Sequence, residues 1–595
     1  MTTNLNWDLD SVFPGGSKSA ELAAFIEALE QDLGQAEAAG LPGPLSDETE
    51  SAWVVAVETY YNLAKRLSHV SAFVGCLVSQ DVDDKAALQI QAGLEALGSR
   101  LGTMSTRLGS ASAEQTDEAW GKLMQTGALA PISFALNEGR DWAREKLAPE
   151  LESLAGELAT DGYHAWNRLY GIIVGAKRIE FELKGETRPM SLYQLQNTFD
   201  GHPDRDARRR AFEAFEAGWA DLATLCAEAL NHQAGYRLTL YRHRDWQSVL
   251  KEPLHNNRFN QQTLDAMWDA IARRSAKLLD YFKAKARLLG LEALTWYDQS
   301  APVGEAARTF SYAEAGDFIV DNFRPFNPDI ADFCRLAIDS RWIEAEDRPN
   351  KRGGGYCTRL ALAEEPRIFM TFDGSYGGMS TLAHELGHAY HGWVMRDLSY
   401  GARHYSMSVA ETASTFNQLV VVDASLKAAA SDAERLSLLN QKLDEATAFL
   451  MNIRCRYEFE RAFFAERQKG FVGVETLSEL MLAAQKAAYC DGLAEGYHPL
   501  FWASKLHFYI TRAPFYNFPY TFGYLFSNGV YQQALEEGAA FRERYIALLR
   551  DTGSMTTEAL ARAHLGVDLT QADFWESALD RVLTDVDTFV ALARG

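Results

Sequence analysis

The sequence predicts a mostly α-helical fold, and three observations support that prediction. Only 16 of the 595 residues are proline, so few positions interrupt a helix. Apolar residues recur at helical spacing through long segments that stop at glycine. Hydrophobic residues make up 47% of the chain, which is ample material for a large buried core.

The helical pattern is clearest in three long segments, which are residues 19–40, 50–78 and 262–290. Proline marks breaks between helical blocks, at Pro203, at Pro302 and at the pair Pro325 and Pro328. None of these breaks has the composition of a flexible linker, and no internal repeat is visible. We therefore expect helical blocks that pack directly on one another.

One short segment has the pattern of a β-strand. The stretch "PRIFMTFDGSY", from Pro366 to Tyr376, is rich in β-forming residues and is bounded by proline and glycine. An edge strand at this position could align an extended peptide by adding it to the sheet. An ordinary short ribbon is the alternative, and the sequence leaves both open.

Charge and cysteine usage restrict the partners and the compartment. Lys and Arg total 58 against 81 for Asp and Glu, and a net charge of -23 repels nucleic acid phosphates and anionic lipids. The six scattered cysteines contain no C-x-x-C pair, which is typical of free thiols in a reducing compartment. The chain shows no signal-peptide pattern and no run of about 18 apolar residues. We expect a soluble cytoplasmic protein without nucleic acid or membrane partners.

The stretch "TLAHELGHAYHGWV", residues 381–394, contains an H-E-x-x-H pattern formed by His384, Glu385 and His388. Residues four apart share one helical face, so both imidazoles can bind one ion. Zinc lowers the pKa of a bound water molecule to about 7. Glu385 is turned away from the histidine pair and could take the proton of that water. A buried pair of hydrogen-bonded histidines is the structural alternative.

A catalytic zinc needs three protein ligands and one open position. The metzincin spacing is excluded, because it needs glycine and histidine where this chain has His391 and Val394. Three consecutive turns of one helix cannot easily surround an ion, which disfavours His391 as a ligand. The candidates for the third ligand are His391, His404, Asp373 and Glu411.

Glu411 is the preferred third ligand. It lies in "SMSVAETASTFNQLVVV", which predicts a second helix that begins at a serine cap, Ser406 or Ser408. Such a helix can pack on the first and present one carboxylate to the two imidazoles. We then expect His391 to be a cavity-wall residue, a support for a ligand or a contact for substrate.

Several separated motifs resemble the oligoendopeptidase F family, zinc oligopeptidases related to thimet oligopeptidase. The resemblance spans most of the chain, because the motifs occur in the expected order from the N-terminal region onward. They are "NWDLDSVFP", "PDRDARRRAFEAF", "HELGHAYH", "VAETASTFNQ" and "HFYITRAPFYNFPYTFGYLFSNGVY".

This resemblance implies a large helical metallopeptidase with a deep substrate channel. An N-terminal helical region, residues 1–200, would form a lid or channel wall beside a catalytic region, residues 201–595, that carries a small β-sheet. His384, His388 and Glu411 would bind one zinc ion per chain, and Glu385 would be the base. The expected reaction is hydrolysis of internal bonds in short unfolded oligopeptides by zinc-bound water.

The resemblance also implies a histidine and tyrosines from a C-terminal loop that stabilise the transition state. The matching positions are His507, Tyr516, Tyr520 and Tyr524, and Tyr524 in "GYLF" matches best. A phenol hydroxyl aimed at a developing oxyanion is a suitable donor. The structural alternative for each tyrosine is a place in an aromatic core.

We expect the substrate to lie extended along residues 366–373. The residues expected to contact it are Tyr516, Tyr520, His391, Gly374 and Tyr376. Two other functions fit the same motifs. An exopeptidase would need a cationic group that fixes the terminal carboxylate of the substrate, and a non-catalytic peptide-binding scaffold would need a closed zinc site that includes His391.

Gln418 is a departure from the expected pattern. It lies seven residues after Glu411, on the same predicted helical face, where many relatives are expected to have glutamate. Either side chain can accept a hydrogen bond from a ligand histidine and so orient it. We expect zinc binding to be retained, with altered affinity.

Overall fold

A computed structural model describes residues 4–304, 308–494 and 496–594 of the chain. Helices form most of this structure and the sheets are small, as the sequence predicts. Within the described residues, no helix has the length and apolar character needed to cross a membrane.

The helices of the first half of the chain are α1 (Ala20–Ala39), α2 (Glu50–Gln80), α3 (Lys85–Ala113), α4 (Asp117–Leu123), α5 (Ser133–Arg144), α6 (Pro149–Gly162), α7 (His164–Ala176), α8 (Leu192–Gly201), α9 (Arg205–Ala220), α10 (Ala223–His243), α11 (Lys251–Asn256), α12 (Gln261–Arg274) and α13 (Leu278–Leu288). The second half contains α14 (Tyr312–Phe323), α15 (Pro328–Asp339), α16 (Tyr376–Val394), α17 (Met407–Ala410), α18 (Thr412–Ala428), α19 (Asp432–Thr447), α20 (Ile453–Arg467), α21 (Val474–Ala488), α22 (Phe501–Ser504), α23 (Phe518–Glu537), α24 (Arg542–Asp551), α25 (Thr557–Leu565) and α26 (Ala572–Leu592).

Five strands complete the regular structure, and they are β1 (Ile179–Leu183), β2 (Glu186–Met190), β3 (Ile343–Glu344), β4 (Tyr356–Leu360) and β5 (Glu365–Phe369). Short 3₁₀ turns lie at Gly16–Lys18, Ala130–Ile132, Ser275–Lys277, Trp296–Asp298, Tyr400–Arg403, Leu506–Tyr509 and Gly538–Phe541, and a π-helical turn lies at Ala448–Asn452.

The described residues divide into two compact units, each built from three separate parts of the chain. The first unit contains residues within 4–149, 308–421 and 533–565. The second unit contains residues within 150–304, 422–532 and 566–594. The sequence predicts a single boundary at residue 200 between an N-terminal and a catalytic region. That division differs from these two units and stays a prediction.

The predicted helical segments are largely confirmed. Segment 19–40 forms α1, and the Ser19 side chain caps it by accepting a hydrogen bond from the Leu22 N–H at 3.3 Å. Segment 50–78 forms α2. Segment 262–290 differs, because a 3₁₀ turn at Ser275–Lys277 divides it into α12 and α13.

The core of the first unit joins its N-terminal helices to its sheet. Each buried leucine or phenylalanine side chain contributes about 1.5–3 kcal/mol relative to an exposed one. Core residues from α1, α2, α3 and the sheet include Leu22, Leu29, Leu33, Phe73, Val74, Leu77, Leu94, Leu97, Leu101, Leu360 and Phe369.

The sheet of the first unit has the strand order β3–β5–β4. The strand predicted at residues 366–376 is β5, which ends earlier, at Phe369. It pairs with β3 in parallel, and with β4 in antiparallel register from Tyr356 opposite Phe369 to Leu360 opposite Glu365. The interpretation of this segment as an edge strand is therefore wrong, because β5 pairs with a strand on each side. The edge strands of this sheet are β3 and β4, and β4 is the longer of the two.

The second unit buries a carboxyl group for which the described residues provide no ion-pair partner. Glu460 on α20 is 7% exposed, and its Oε1 accepts a hydrogen bond from the Phe515 N–H at 3.1 Å. Burial raises the pKa of Glu460 to about 8, although the Phe515 N–H and the charge of Arg237 act in the opposite direction. Glu460 is thus protonated in the folded protein at neutral pH.

Replacing Glu460 with glutamine should flatten the dependence of stability on pH. The folded protein keeps this proton up to about pH 8, whereas the unfolded chain loses it near the ordinary pKa of 4.5. Protonation therefore stabilises the fold fully below the lower pKa, and this contribution is lost as pH rises through the higher one. Chemical denaturation should show a loss on the order of a few kcal/mol between about pH 5 and pH 8 in the wild type.

In Glu460→Gln most of that loss should disappear. The matched control is Glu479→Gln on α21, where the replaced side chain is exposed, and it should follow the wild type. Parallel stability profiles for Glu460→Gln and the wild type would contradict the assignment.

Candidate metal centre

The H-E-x-x-H sequence lies in the middle of α16. The helix begins after Ser375, whose hydroxyl accepts a hydrogen bond from the Gly378 N–H at 2.9 Å. His384 and His388 follow one another by one turn, and their ring centroids are 4.9 Å apart. The Nε2 atoms of both histidines lie close to the same carboxylate group, which is not part of α16.

That carboxylate belongs to Glu411. Its Oε2 lies 3.3 Å from Nε2 of His384 and 3.4 Å from Nε2 of His388. Ser414 donates a hydrogen bond from Oγ to the same oxygen at 2.7 Å. One donor atom from each of the three residues lies within 4.8 Å of the others, which is the spacing of a metal-binding group. Two imidazoles and one carboxylate suit zinc, and three ligands leave a fourth tetrahedral position open.

Glu411 lies at a break between two helices. The sequence predicts one helix from Ser406 or Ser408 onward, but α17 ends at Ala410 and α18 begins at Thr412. Glu411 has φ -81° and ψ 0°, which belong to the last residue of a turn. The break aims the carboxylate at α16.

Gly387 lets α18 approach α16 at this point. A Cβ atom on Gly387 would lie 2.4 Å from the carbonyl oxygen of Ala413 and 2.5 Å from Cα of Ser414. Both neighbours are backbone atoms, so a side chain at position 387 would force the two helices apart. The glycine within "HELGH" therefore controls the distance from Glu411 to the histidines.

Gln418 holds one of the histidines in orientation. Its Oε1 lies 3.0 Å from Nδ1 of His384, and because an amide oxygen only accepts, Nδ1 carries the proton. Nε2 then faces the Glu411 carboxylate, 3.3 Å from its Oε2, and donates to it when the ring is charged. Burial lowers the pKa of His384, but the hydrogen bond and charge of Glu411 outweigh burial and raise that pKa to about 9.

The two glutamates of the site have opposite electrostatic surroundings. Burial raises the pKa of Glu411, but its hydrogen bonds to His384 and His388 outweigh burial and hold that pKa far below the usual range. Glu385 is 7% exposed, and burial raises its pKa while the two histidines oppose that shift. Among the described residues, Oε2 of Glu385 has no hydrogen-bond partner. One carboxylate is thus held ionised, and the other can accept a proton.

A cavity of about 360 Å³ opens beside the three metal-binding candidates. Its walls come from the α16 face that carries the motif, from the edge strand β4 and from the segment before α17. The lining residues are Gly355, Tyr356, Cys357, Thr358, Arg359, Glu364, Pro366, His384, Glu385, His388, Ala389, Gly392, Trp393, Tyr405 and Glu411.

Sequence reasoning missed Arg359 and Gly355. The Arg359 guanidinium packs against Gly392, where a Cβ atom would lie 2.6 Å from Nε. A Cβ atom on Gly355 would lie 3.5 Å from Oε1 of Glu385. Gly392, the glycine in "HGW" one turn after His388, could have indicated a close contact at this position. No local sequence pattern identifies Arg359 as its partner.

His391 lies outside the metal-binding group and outside the cavity lining. It is fully buried, and Nε2 donates to the Leu549 carbonyl oxygen at 3.1 Å and to Thr552 Oγ1 at 2.9 Å. Its ring stacks on Tyr405 with centroids 4.1 Å apart. The structure thus places His391 behind the wall residue Tyr405, where burial lowers its pKa to about 3.

Gly374 and Tyr376, expected to contact substrate, lie at the start of α16. Gly374 has φ +76°, which favours glycine, and its carbonyl oxygen accepts a hydrogen bond from the Phe310 N–H at 2.8 Å. Tyr376 is buried as the first residue of the helix. Neither residue lines the cavity.

The C-terminal histidine and tyrosines lie in the second unit. His507 and Tyr516 stack with ring centroids 5.4 Å apart, and the Tyr520 hydroxyl donates to the Tyr516 hydroxyl at 3.2 Å. Tyr524 lies apart from this cluster. It is 3% exposed and stacks on Phe449, and burial raises its pKa well above the usual value.

Comparison with family models gives two matches. The model described as Peptidase family M3 matches residues 199–581, and the model described as Oligopeptidase F matches residues 113–177. The first match covers more than half of the chain and includes His384, Glu385, His388 and Glu411.

Among curated relatives, Group B oligopeptidase PepB of Streptococcus agalactiae is 23% identical over 609 residues, and the match covers 98% of this chain and 97% of that protein. Oligopeptidase PepF of Bacillus subtilis is 26% identical over 380 residues. That match covers 63% of this chain and 56% of the relative, so it spans little more than half of the relative's length.

Two solved structures share the fold. A chain from Chlamydophila abortus has a TM-score of 0.82 at 19% identity, covering 100% of this chain and 99% of that one. Oligoendopeptidase-F from Enterococcus faecium has a TM-score of 0.69 at 19% identity, covering 96% and 98%. At these identities the likeness is one of fold.

Replacing Gly387 with alanine should weaken zinc binding, because the added Cβ displaces the backbone that carries Glu411. We expect a loss of about tenfold or more in affinity, measured by competition with a chelating indicator. The matched control is Gly377→Ala, also on α16, where a Cβ atom would meet only Ser375 Oγ at 3.5 Å. Wild-type zinc affinity in Gly387→Ala would contradict this role.

Replacing Gln418 with alanine should weaken zinc binding by about 10–100-fold, because His384 loses the partner that fixes its orientation. Gln418→Glu keeps an acceptor at that position and should retain binding. The same competition titration measures both variants. Equal affinities for the alanine and glutamate variants would show that this hydrogen bond does not support the ligand.

Proposed function

This chain belongs to peptidase family M3, and from that premise we propose that it is a zinc-dependent endopeptidase acting on short unfolded peptides. The observation that carries the proposal is the cluster of His384, His388 and Glu411, with the buried Glu385 carboxylate beside it.

The residues present fit one zinc ion per chain. His384 and His388 would bind it through Nε2 and Glu411 through its carboxylate, and Gln418 would hold His384 in the required tautomer. A bound zinc ion would polarise the scissile carbonyl group and acidify a water molecule. The ionised state of Glu411 and the protonated Nδ1 of His384 suit ligands that face a dication.

Glu385 would act as general base and then as general acid. Its unpaired Oε2 is available to accept a hydrogen bond from the attacking water. Because burial raises its pKa, the carboxylate can hold the proton taken from water and pass it to the leaving amine.

The edge strand β4 would align the substrate. β4 lines the cavity and pairs with β5 on one side only, so its other side can add an extended peptide. Pairing through main-chain atoms gives little dependence on substrate side chains, which suits a peptidase that accepts many short sequences. Arg359 on the same strand would supply a cation within the cavity.

The C-terminal group has a further proposed role. We retain His507, Tyr516 and Tyr520 as donors to the developing oxyanion, supported by their clustering in the second unit. The burial of Tyr524 against Phe449 favours the aromatic-core alternative for that residue.

The six cysteines are free thiols, which supports a reducing compartment such as the cytoplasm.

A digest of a mixed peptide library, read by mass spectrometry, tests the function. The wild type should cut short peptides internally, lose activity with a chelator and regain it with zinc. Glu385→Gln should retain zinc but lose on the order of 10²–10⁴-fold in kcat. The matched control is Glu58→Gln, an exposed position on α2, which should cut normally.

Peptides blocked at both termini separate endopeptidase from exopeptidase action, because only an endopeptidase cuts them. Cleavage confined to unblocked peptides would support the exopeptidase. Zinc-loaded wild type that cuts nothing in the library would overturn the peptidase proposal and favour a peptide-binding scaffold.

A further inference from the structure

A second polar cavity lies within the second unit, with a volume of about 180 Å³. Two cationic side chains, Arg456 and Lys505, and one acid, Asp200, reach it. Aromatic rings form much of the remaining wall. The aromatic lining residues are Phe199, Phe215, Trp296 and Phe501, and the polar ones include Gln196, Gln299, Ser300 and Asn452.

Neither cation has a carboxylate partner. Arg456 donates from Nε to Asn452 Oδ1 at 2.8 Å and from Nη1 to Asn517 Oδ1 at 3.0 Å, and both acceptors are neutral amides. Lys505 places Nζ over the Phe501 ring, 4.8 Å from its centroid. Among the described residues, no carboxylate oxygen lies within 4.0 Å of either cation.

The buried cations of this unit provide a comparison, because they are paired. Burial of a charge is costly unless an opposite charge compensates it, so pairing is the expected arrangement. The paired examples, each with a carboxylate oxygen within 3.1 Å, are Lys285 with Asp444, Lys442 with Asp423, Arg208 with Asp298 and Arg237 with Glu252. Arg456 and Lys505 are half-buried and lack such a partner, and both line the cavity.

The acids at the cavity have direct partners other than these two cations. Asp200 accepts a hydrogen bond from Gln196 at 3.2 Å, and burial raises its pKa although the charge of Lys505 opposes that shift. Glu216 contacts His498 on the cavity wall. Burial lowers the pKa of Lys505 to about 7, and the charge of Arg456 adds to that shift. Arg456 and Lys505 are therefore left without a carboxylate partner among the described residues.

We propose that this cavity binds a small carboxylate that carries an apolar or aromatic group. Lys505 and the free Nη2 of Arg456 would hold the carboxylate, and the aromatic wall would cover the rest. Benzene fills a cavity of about 150 Å³ in another protein, so a benzoate-sized ligand suits this volume. Such a ligand could be free, or it could be the C-terminal residue of a peptide, and only the second source depends on the proposed peptidase function.

Calorimetric titration of the full chain with benzoate and with acetate, at fixed ionic strength, tests the site. Both should bind saturably, and benzoate should bind more tightly because it also buries a ring. Lys505→Met should weaken benzoate by about tenfold or more, and Lys505→Arg should retain it. The matched control is Lys486→Met, an exposed lysine on α21 in the same unit, which should bind as the wild type does.

A second measurement needs no variant, in case Lys505→Met fails to fold. An amine-acylating reagent should label Lys505 more slowly when benzoate is present, while Lys486 is labelled at an unchanged rate, as read by peptide mass spectrometry. Absence of saturable benzoate binding, equal affinity in Lys505→Met, or unchanged labelling of Lys505 would overturn the proposal.

Peptides with a free or an amidated C-terminus identify the source of the carboxylate. If amidation lowers kcat/KM about tenfold in the wild type but not in Lys505→Met, the site holds a peptide terminus. If both peptides are cut equally while benzoate still binds, the site holds a free carboxylate. Because binding is measured by heat, the site can be established even in a chain that shows no peptidase activity.

Discussion

The backbone contact at Gly387 is the constraint on which the candidate metal centre depends. Two helices can touch this closely only where one of them has no side chain. The contact fixes Ala413 and Ser414 against α16, and the Glu411 carboxylate follows because it is attached two residues earlier. Gln418 is on the same helix as Ser414. A single steric condition therefore sets both a proposed ligand and the residue that orients another ligand.

The two carboxyl groups near this contact, those of Glu411 and Glu385, have different electrostatic surroundings. Glu411 is stabilised as an anion by two imidazoles, and Glu385 is destabilised as an anion by burial. This separation of two carboxylates by environment is a recurrent means of assigning ligand and base roles at neutral pH. The unpaired cations at the cavity of the second unit show the complementary case, in which burial leaves a charge for a ligand to balance.

Local sequence patterns predicted the helices and the motif, because both depend on residues a few positions apart. The spacing of His384 and His388 and the choice of Glu411 needed only helical geometry and ligand chemistry. The position of β5 in the centre of its sheet could not be predicted, because its partner strands are set by long-range pairing. The contact of Arg359 with Gly392 and the burial of Tyr524 against Phe449 depend in the same way on tertiary packing.

Each compact unit is built from three separate parts of the chain, and this affects how the protein folds during translation. The helix that carries His384 and His388 is supported at His391 by the carbonyl oxygen of Leu549, which is 158 positions further along the chain. At a translation rate of about 5–20 residues per second, roughly ten seconds or more pass before that support leaves the ribosome. The surroundings of α16 in the nascent chain therefore stay incomplete until Leu549 has been made. The surroundings of the candidate metal centre are thus completed only after a long stretch of chain beyond its three candidate ligands has been made.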